Sequence, residues 1–227
     1  MILEMNLMYF IESITSLAII FPIIVGSITV RKPYNNSYLT IFVYCLIYAV
    51  FEIIGWYCVL NHLQNHFLHN ILSYLDILFW GAYFYHILET SISKRVVIAL
   101  IITTLILITW SNWATGRNFN RMDSFALSIG SLSLIMMCLL FFYQLLNNLD
   151  IKNILTYSHF WITVGILIYF SGAFFTFMFA EYITFSKEKT VTQYILINAF
   201  LLFFQRIFLA LGLWFSKTPP QLSPSLK

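Results

Sequence analysis

Charge is what this chain lacks most. Only 9% of its 227 residues are Asp, Glu, Lys or Arg, whereas a soluble domain carries about 25%. A chain of this length is long enough for one soluble domain, but it has too few charged side chains to coat one. Its 60% hydrophobic and 19% aromatic content fits an integral membrane protein instead. The net charge of +3 is small and its lysines and arginines are scattered, which excludes a basic patch for nucleic acid. Cysteine is scarce too. Cys45, Cys58 and Cys138 each fall inside an apolar run, without metal or redox spacing, and are expected to be small buried hydrophobes. There is no His-Glu-x-x-His pair, no Gly-rich phosphate loop and no nucleophile elbow. No cofactor is expected, and the chain leans away from being an enzyme. The first apolar run lacks a basic leader and a small-residue cleavage site, so it is expected to be retained.

What is present is a series of long apolar runs. The most informative is His159 to Phe179, which holds no charged residue and at roughly 20 residues can cross a bilayer as a helix. Trp161, Gly165, Tyr169, Gly172 and Thr176 recur at steps of four, four, three and four. That spacing places a small-and-polar stripe on one helical face, expected to look into protein. Other runs cover about 7–30, 38–60, 71–88, 96–110, 125–146 and 194–215. Residues 61–70 read as a polar loop with three histidines. Pro22 is expected to kink the first run. The fourth, with only threonines for polarity, is expected at the periphery. The pattern predicts an all-α integral membrane bundle of seven transmembrane helices over residues 1–216. The Pro/Ser-rich stretch 217–227 is expected to be a disordered cytoplasmic tail.

Lys and Arg set the expected orientation. Arg31, Lys32, Lys94, Arg95, Lys152, Lys217 and Lys227 fall on one side; Arg117, Arg121, Lys187 and Lys189 fall on the other. The larger set is expected to be cytoplasmic. This puts the N-terminus outside and the C-terminus inside a multi-pass protein of the inner (cytoplasmic) membrane.

Charged groups in hydrocarbon cost about 2.5–3.5 kcal/mol each on insertion scales, so each needs a reason. Glu12, Glu52 and Asp76 fall in the outer half under this orientation. At about 1.5 Å per residue, Glu52 and Asp76 lie roughly 10 Å below the outer interface. Tyr48, Glu52 and Trp56 share one face of their span; Asp76, Trp80 and Tyr83 share one of theirs. Asn198 lies in the same layer. One reading is an outward-opening, aromatic-walled pocket in which Glu52, Trp56, Asp76, Trp80, Tyr169 and Asn198 bind a small ligand or cation. The other is that each acid is separately hydrogen-bonded for packing. A second, inner set comprises His86, Glu89, His159, Gln205 and Arg206. There Arg206 is expected either to pair with Glu89 or another inner acid, or to snorkel to the headgroups. His86, Gln205 and Arg206 are the candidate coupling residues, and His159 reads as interfacial.

Comparison with known seven-helix families narrows the field. The last span holds no lysine for a retinal Schiff base, and the spans lack the proline-glutamine motifs of sugar exporters. The late His-x-x-x-His pair of membrane lipid hydrolases is missing as well. Trp161-Ile-x-x-Gly165-Ile-Leu-Ile-Tyr169-Phe-Ser171-Gly172, Asn198, and Leu211-Gly212-Leu-Trp214 ahead of a basic residue resemble a family of small uncharacterised bacterial seven-helix proteins. Members of that family are often linked or fused to sensor histidine kinases. The resemblance covers the last two spans, and implies a receptor-like module passing its signal to a separate kinase or other partner, with membrane lipid around it. A small proton- or cation-coupled transporter and an intramembrane lipid enzyme are the other classes the residues permit.

Overall fold

The computed structural model describes residues 2–30, 36–61, 63–114, 123–147, 153–179 and 188–217. The tail beyond 217 lies outside these residues, as do most of the lysines and arginines that set the expected orientation. Among the described residues there are helices and no strand, as the hydrocarbon interior requires of a chain that must satisfy its own backbone.

The first apolar run forms two helices, α1 (Ile2–Leu17) and α2 (Ile20–Thr29). The break falls at Ala18 and Ile19, four residues before Pro22. Proline lacks the N–H that the carbonyl of Ala18 would accept, and its ring crowds that carbonyl. The Ala18 carbonyl accepts from the Phe21 N–H at 3.2 Å instead. There follow α3 (Asn36–Leu60), α4 (His66–Ile87), α5 (Ser91–Ala114) and α6 (Ser124–Asn147). A 3-10 turn, Ile154–Thr156, precedes α7 (Ser158–Met178) and α8 (Glu188–Phe215). The expected loop at 61–70 is shorter than the histidines suggested, because His66 already opens α4. The fourth run is also longer than its apolar centre. Among the described residues, six stretches are long and apolar enough to cross a membrane: Phe10–Thr29, α3, α5, α6, α7 and Gln193–Phe215. The remaining long helix, α4, carries His66, His69, Asn70 and Asp76, which lower its apolarity.

The helices close a ring. α3 packs on α4, α4 on α6, α6 on α7, and α7 on α8; α8 returns to α1 and α2, and α2 meets α3. α5 lies outside this ring against α4 and α6, where Thr104 and Ser133 share a hydrogen bond of 2.6 Å. Asp123 fixes the far end of that layer. Its carboxylate accepts from the Ala126 N–H at 3.0 Å and the Ser111 hydroxyl at 2.7 Å, capping the open N–H groups of α6. Tyr44, Trp80, Tyr83, Phe84 and Phe141 fill the centre.

The Trp161–Thr176 stripe faces α8. A Cβ on Gly165 would fall 2.6 Å from the Phe208 Cβ, so only glycine permits this approach. Trp161 stacks on Phe208 at 5.8 Å, and the Ser158 hydroxyl donates to the Gly212 carbonyl at 2.5 Å. In lipid there is no hydrophobic drive between helices, and such close backbone contact supplies the attraction. Gly165→Leu is therefore expected to overpack the seam and destabilise the fold by about 1–3 kcal/mol. Ile106→Leu, on the exposed side of α5, should stay within about 0.5 kcal/mol. Thermal unfolding in detergent measures both, and equal midpoints would contradict the close seam.

Candidate binding site

Among the described residues the bundle is open at the end where α1 begins, α3 gives way to α4, and α7 gives way to α8. A cavity of 490 Å³ lies there. α1 contributes Glu12, Thr15 and Ser16, and α3 contributes Tyr48, Glu52 and Trp56. The first turns of α4 supply His66 and His69. Tyr169 and Phe177 of α7, with Tyr194 and Asn198 of α8, complete the wall. Asn198 is held in place: its amide donates to the Tyr194 carbonyl at 3.0 Å and its oxygen accepts from the Thr176 hydroxyl at 3.0 Å.

Beneath the cavity lies a buried ion pair. Arg206 is 1% exposed and donates to Glu52 Oε1 and to the Thr15 carbonyl. The Ser16 hydroxyl donates to Glu52 Oε2 at 2.7 Å, so both carboxylate oxygens are engaged. The Tyr48 ring lies 5.4 Å from the guanidinium carbon, within cation–π range. The Thr15 carbonyl belongs to the last turn of α1, where the break leaves carbonyls short of helical donors. Arg206 thus ties the end of α1, the middle of α3 and α8 together.

This pairing corrects the expectation that Arg206 belongs to an inner set with Glu89. Arg206 lies eight residues beyond Asn198, about 12 Å along the helix, near the bundle's mid-depth. Glu52 lies eight residues before the end of the antiparallel α3, and the long arginine stem covers what separates them. Glu89 sits at the opposite end of the bundle, where its backbone N–H donates to the Gln144 side chain at 3.0 Å.

Glu52 and Asp76 do not face each other across one pocket. Asp76 accepts from the Tyr44 hydroxyl at 2.9 Å and lines a separate cavity of 30 Å³, room for about two waters. Tyr48, His69, Leu72, Tyr169 and Phe177 line both cavities, which adjoin along these residues. Trp80 lies one turn further in, where the helices have closed. It lines neither cavity, is 1% exposed and packs on Tyr44 at 4.6 Å. Of the expected ligand-binding residues, Glu52, Trp56, Tyr169 and Asn198 share the large cavity; Asp76 and Trp80 do not.

The expected coupling residues are also separated. His86 is exposed at the far end of α4 against the edge of Tyr85. Gln205 is 2% exposed, and its Nε2 has no hydrogen-bond partner among the described residues. His159 is half-buried in the first turn of α7. Its ring stacks on Tyr38 at 4.9 Å and 4°, and Nδ1 lies 3.0 Å from the Tyr83 hydroxyl. Tyr157 closes this group from the turn before α7, its phenol pushed up to about 12 by burial. Sequence reasoning missed His66, His69 and Tyr194 as wall residues. The signal for the histidines was present: His66, His69, Ser73 and Asp76 recur at three, four and three, a helical stripe that continues upstream of the apolar run.

Removing one partner of a buried pair strands the other. Arg206→Leu alone is expected to cost about 3–5 kcal/mol. The double variant Arg206→Leu with Glu52→Leu should cost less than Arg206→Leu alone. Reversible unfolding in mixed micelles checks the order, and strictly additive losses would show that the two side chains do not interact.

No model of a known protein family matches the chain, and no match was found among the curated proteins or the solved structures compared with it.

Proposed function

We propose that the chain is a receptor-like signal-input module of the inner (cytoplasmic) membrane. α4 counts as a seventh span, the N-terminus faces outward, and the output passes to a separate signalling partner such as a sensor kinase. The observation that carries this reading is the 490 Å³ cavity seated on the Arg206–Glu52 pair. Its volume is that of small-molecule sites, roughly 300–1,000 Å³. Glu52 and Tyr48 both line the cavity and both touch Arg206, and Arg206 holds the end of α1 at its break. An occupant that shifts Glu52 or Tyr48 therefore alters what Arg206 gives to the Thr15 carbonyl. The α1–α2 break is the element with two arrangements, and the ligand acts by favouring one of them.

A proton- or cation-coupled carrier is the second reading. It is favoured by the two adjoining cavities, one lined by Glu52 and the other by Asp76, with Tyr48 and Tyr169 shared between them.

The test uses the protein in lipid nanodiscs with a panel of small amphipathic amines, carboxylates and alcohols. The receptor reading expects at least one compound to raise the thermal midpoint and change hydrogen exchange at Ala18–Ile23 while leaving α5 unchanged. Gly55→Trp, which fills the cavity from α3, should abolish both effects. In liposomes the same compound should bind without accumulating. Accumulation would favour the carrier, and a panel without any binder would end the receptor reading.

A further inference from the structure

The charge balance of the large cavity singles out one group that the ion pair does not explain. Two carboxylates line the cavity, Glu12 and Glu52. Glu52 is neutralised by Arg206, which lies behind the wall and does not line it. Glu12 is partly buried, lies close enough to Glu52 to feel its charge, and has no hydrogen bond or ion pair among the described residues. A half-buried carboxylate beside a second one calls for a counter-charge. Among the described residues the wall supplies none: its other ionisable groups are two imidazoles and the phenols.

The rest of the wall indicates what kind of cation fits. Trp56, Phe51, Tyr169, Phe177 and Tyr194 present ring faces and edges around the space. The Tyr194 hydroxyl is buried without a partner among the described residues. A hard metal ion takes six or more oxygens at short range, and among the described residues no cluster of His, Cys, Asp and Glu is built to hold a metal. Aromatic rings with a single carboxylate instead suit a large, weakly hydrated cation, attracted by the ring quadrupoles and by one formal charge.

We propose that this cavity binds an organic ammonium compound of hydrophobic character, with Glu12 as its counter-charge and Trp56 as the principal ring against its positive head. The proposal rests on the cavity being a ligand site, and names the class of ligand. It also assigns the two acids different duties: Glu52 belongs to the protein's own ion pair, and Glu12 belongs to the guest.

The experiment measures binding of benzyltriethylammonium, benzenesulfonate and N-benzylacetamide to the full chain in nanodiscs of neutral lipid. It is run at about pH 8, above the ordinary imidazole range. The cation is expected to bind at least about tenfold more tightly than the sulfonate or the amide, a difference of about 1.4 kcal/mol. Glu12→Gln should weaken the cation about tenfold and the amide less, without lowering the thermal midpoint. Trp56→Leu should weaken the cation more than the amide. Equal binding of all three probes, or full cation affinity in both Glu12→Gln and Trp56→Leu, overturns the ammonium assignment and leaves the cavity standing as a ligand site. Failure of all three probes to bind overturns both.

Discussion

One buried arginine sets the shape of this bundle. Arg206 projects from α8 into a region where an unpaired guanidinium would be strongly disfavoured, so its donors must find acceptors within the protein. The two terminal nitrogens find the Thr15 carbonyl at the end of α1 and Glu52 on α3, while Nε has no partner among the described residues. Each acceptor has its own reason to be there. Glu52 needs a cation to be tolerated at that depth. The Thr15 carbonyl lies beside the helix break, where it accepts from the Ala18 N–H at 3.1 Å but not from the Ile19 N–H that a continuous helix would supply. Three local shortages are met by one side chain, and the meeting point brings three helices into register.

The cavity follows from that arrangement. At the level of Arg206 the ring of helices is closed by charge and aromatic packing. Towards the end where α1 begins, the helices are held apart by large side chains, and small residues such as Ser16 and Gly55 leave room between them. Further along α7 and α8, past the cavity, glycines do the reverse and draw the backbones together. The same chain thus uses small residues in two ways, at a seam where backbones touch and at a wall where nothing fills the space.

The fold was largely legible in the sequence. Runs of about 20 apolar residues define spanning helices whatever their neighbours. The Trp161–Thr176 stripe identified its own protein-facing side, and the threonine-only fourth run ended up outside the ring. The helix break was legible from Pro22, since a missing N–H and a ring clash are local matters. The site was legible in part. Glu52, Trp56, Tyr169 and Asn198 share the cavity because each lies on a polar stripe at a similar depth. Trp80 and Asp76 lie on a similar stripe yet elsewhere, because periodicity gives a face and not the point at which neighbouring helices close. His66 and His69 were read as loop because hydropathy falls there, although the helical spacing continues.

Sequence alone determined that the chain is a bundle of membrane-length helices, which faces of those helices are polar, and where the first helix must break. These are consequences of composition, periodicity and covalent geometry, all of which act within one segment. Only the tertiary structure decided that Arg206 reaches Glu52 rather than Glu89, that Asp76 lines a small cavity beside the large one, and that His159 meets Tyr38 and Tyr83. Those outcomes depend on how residues of different helices line up in depth, and that is set by packing between segments.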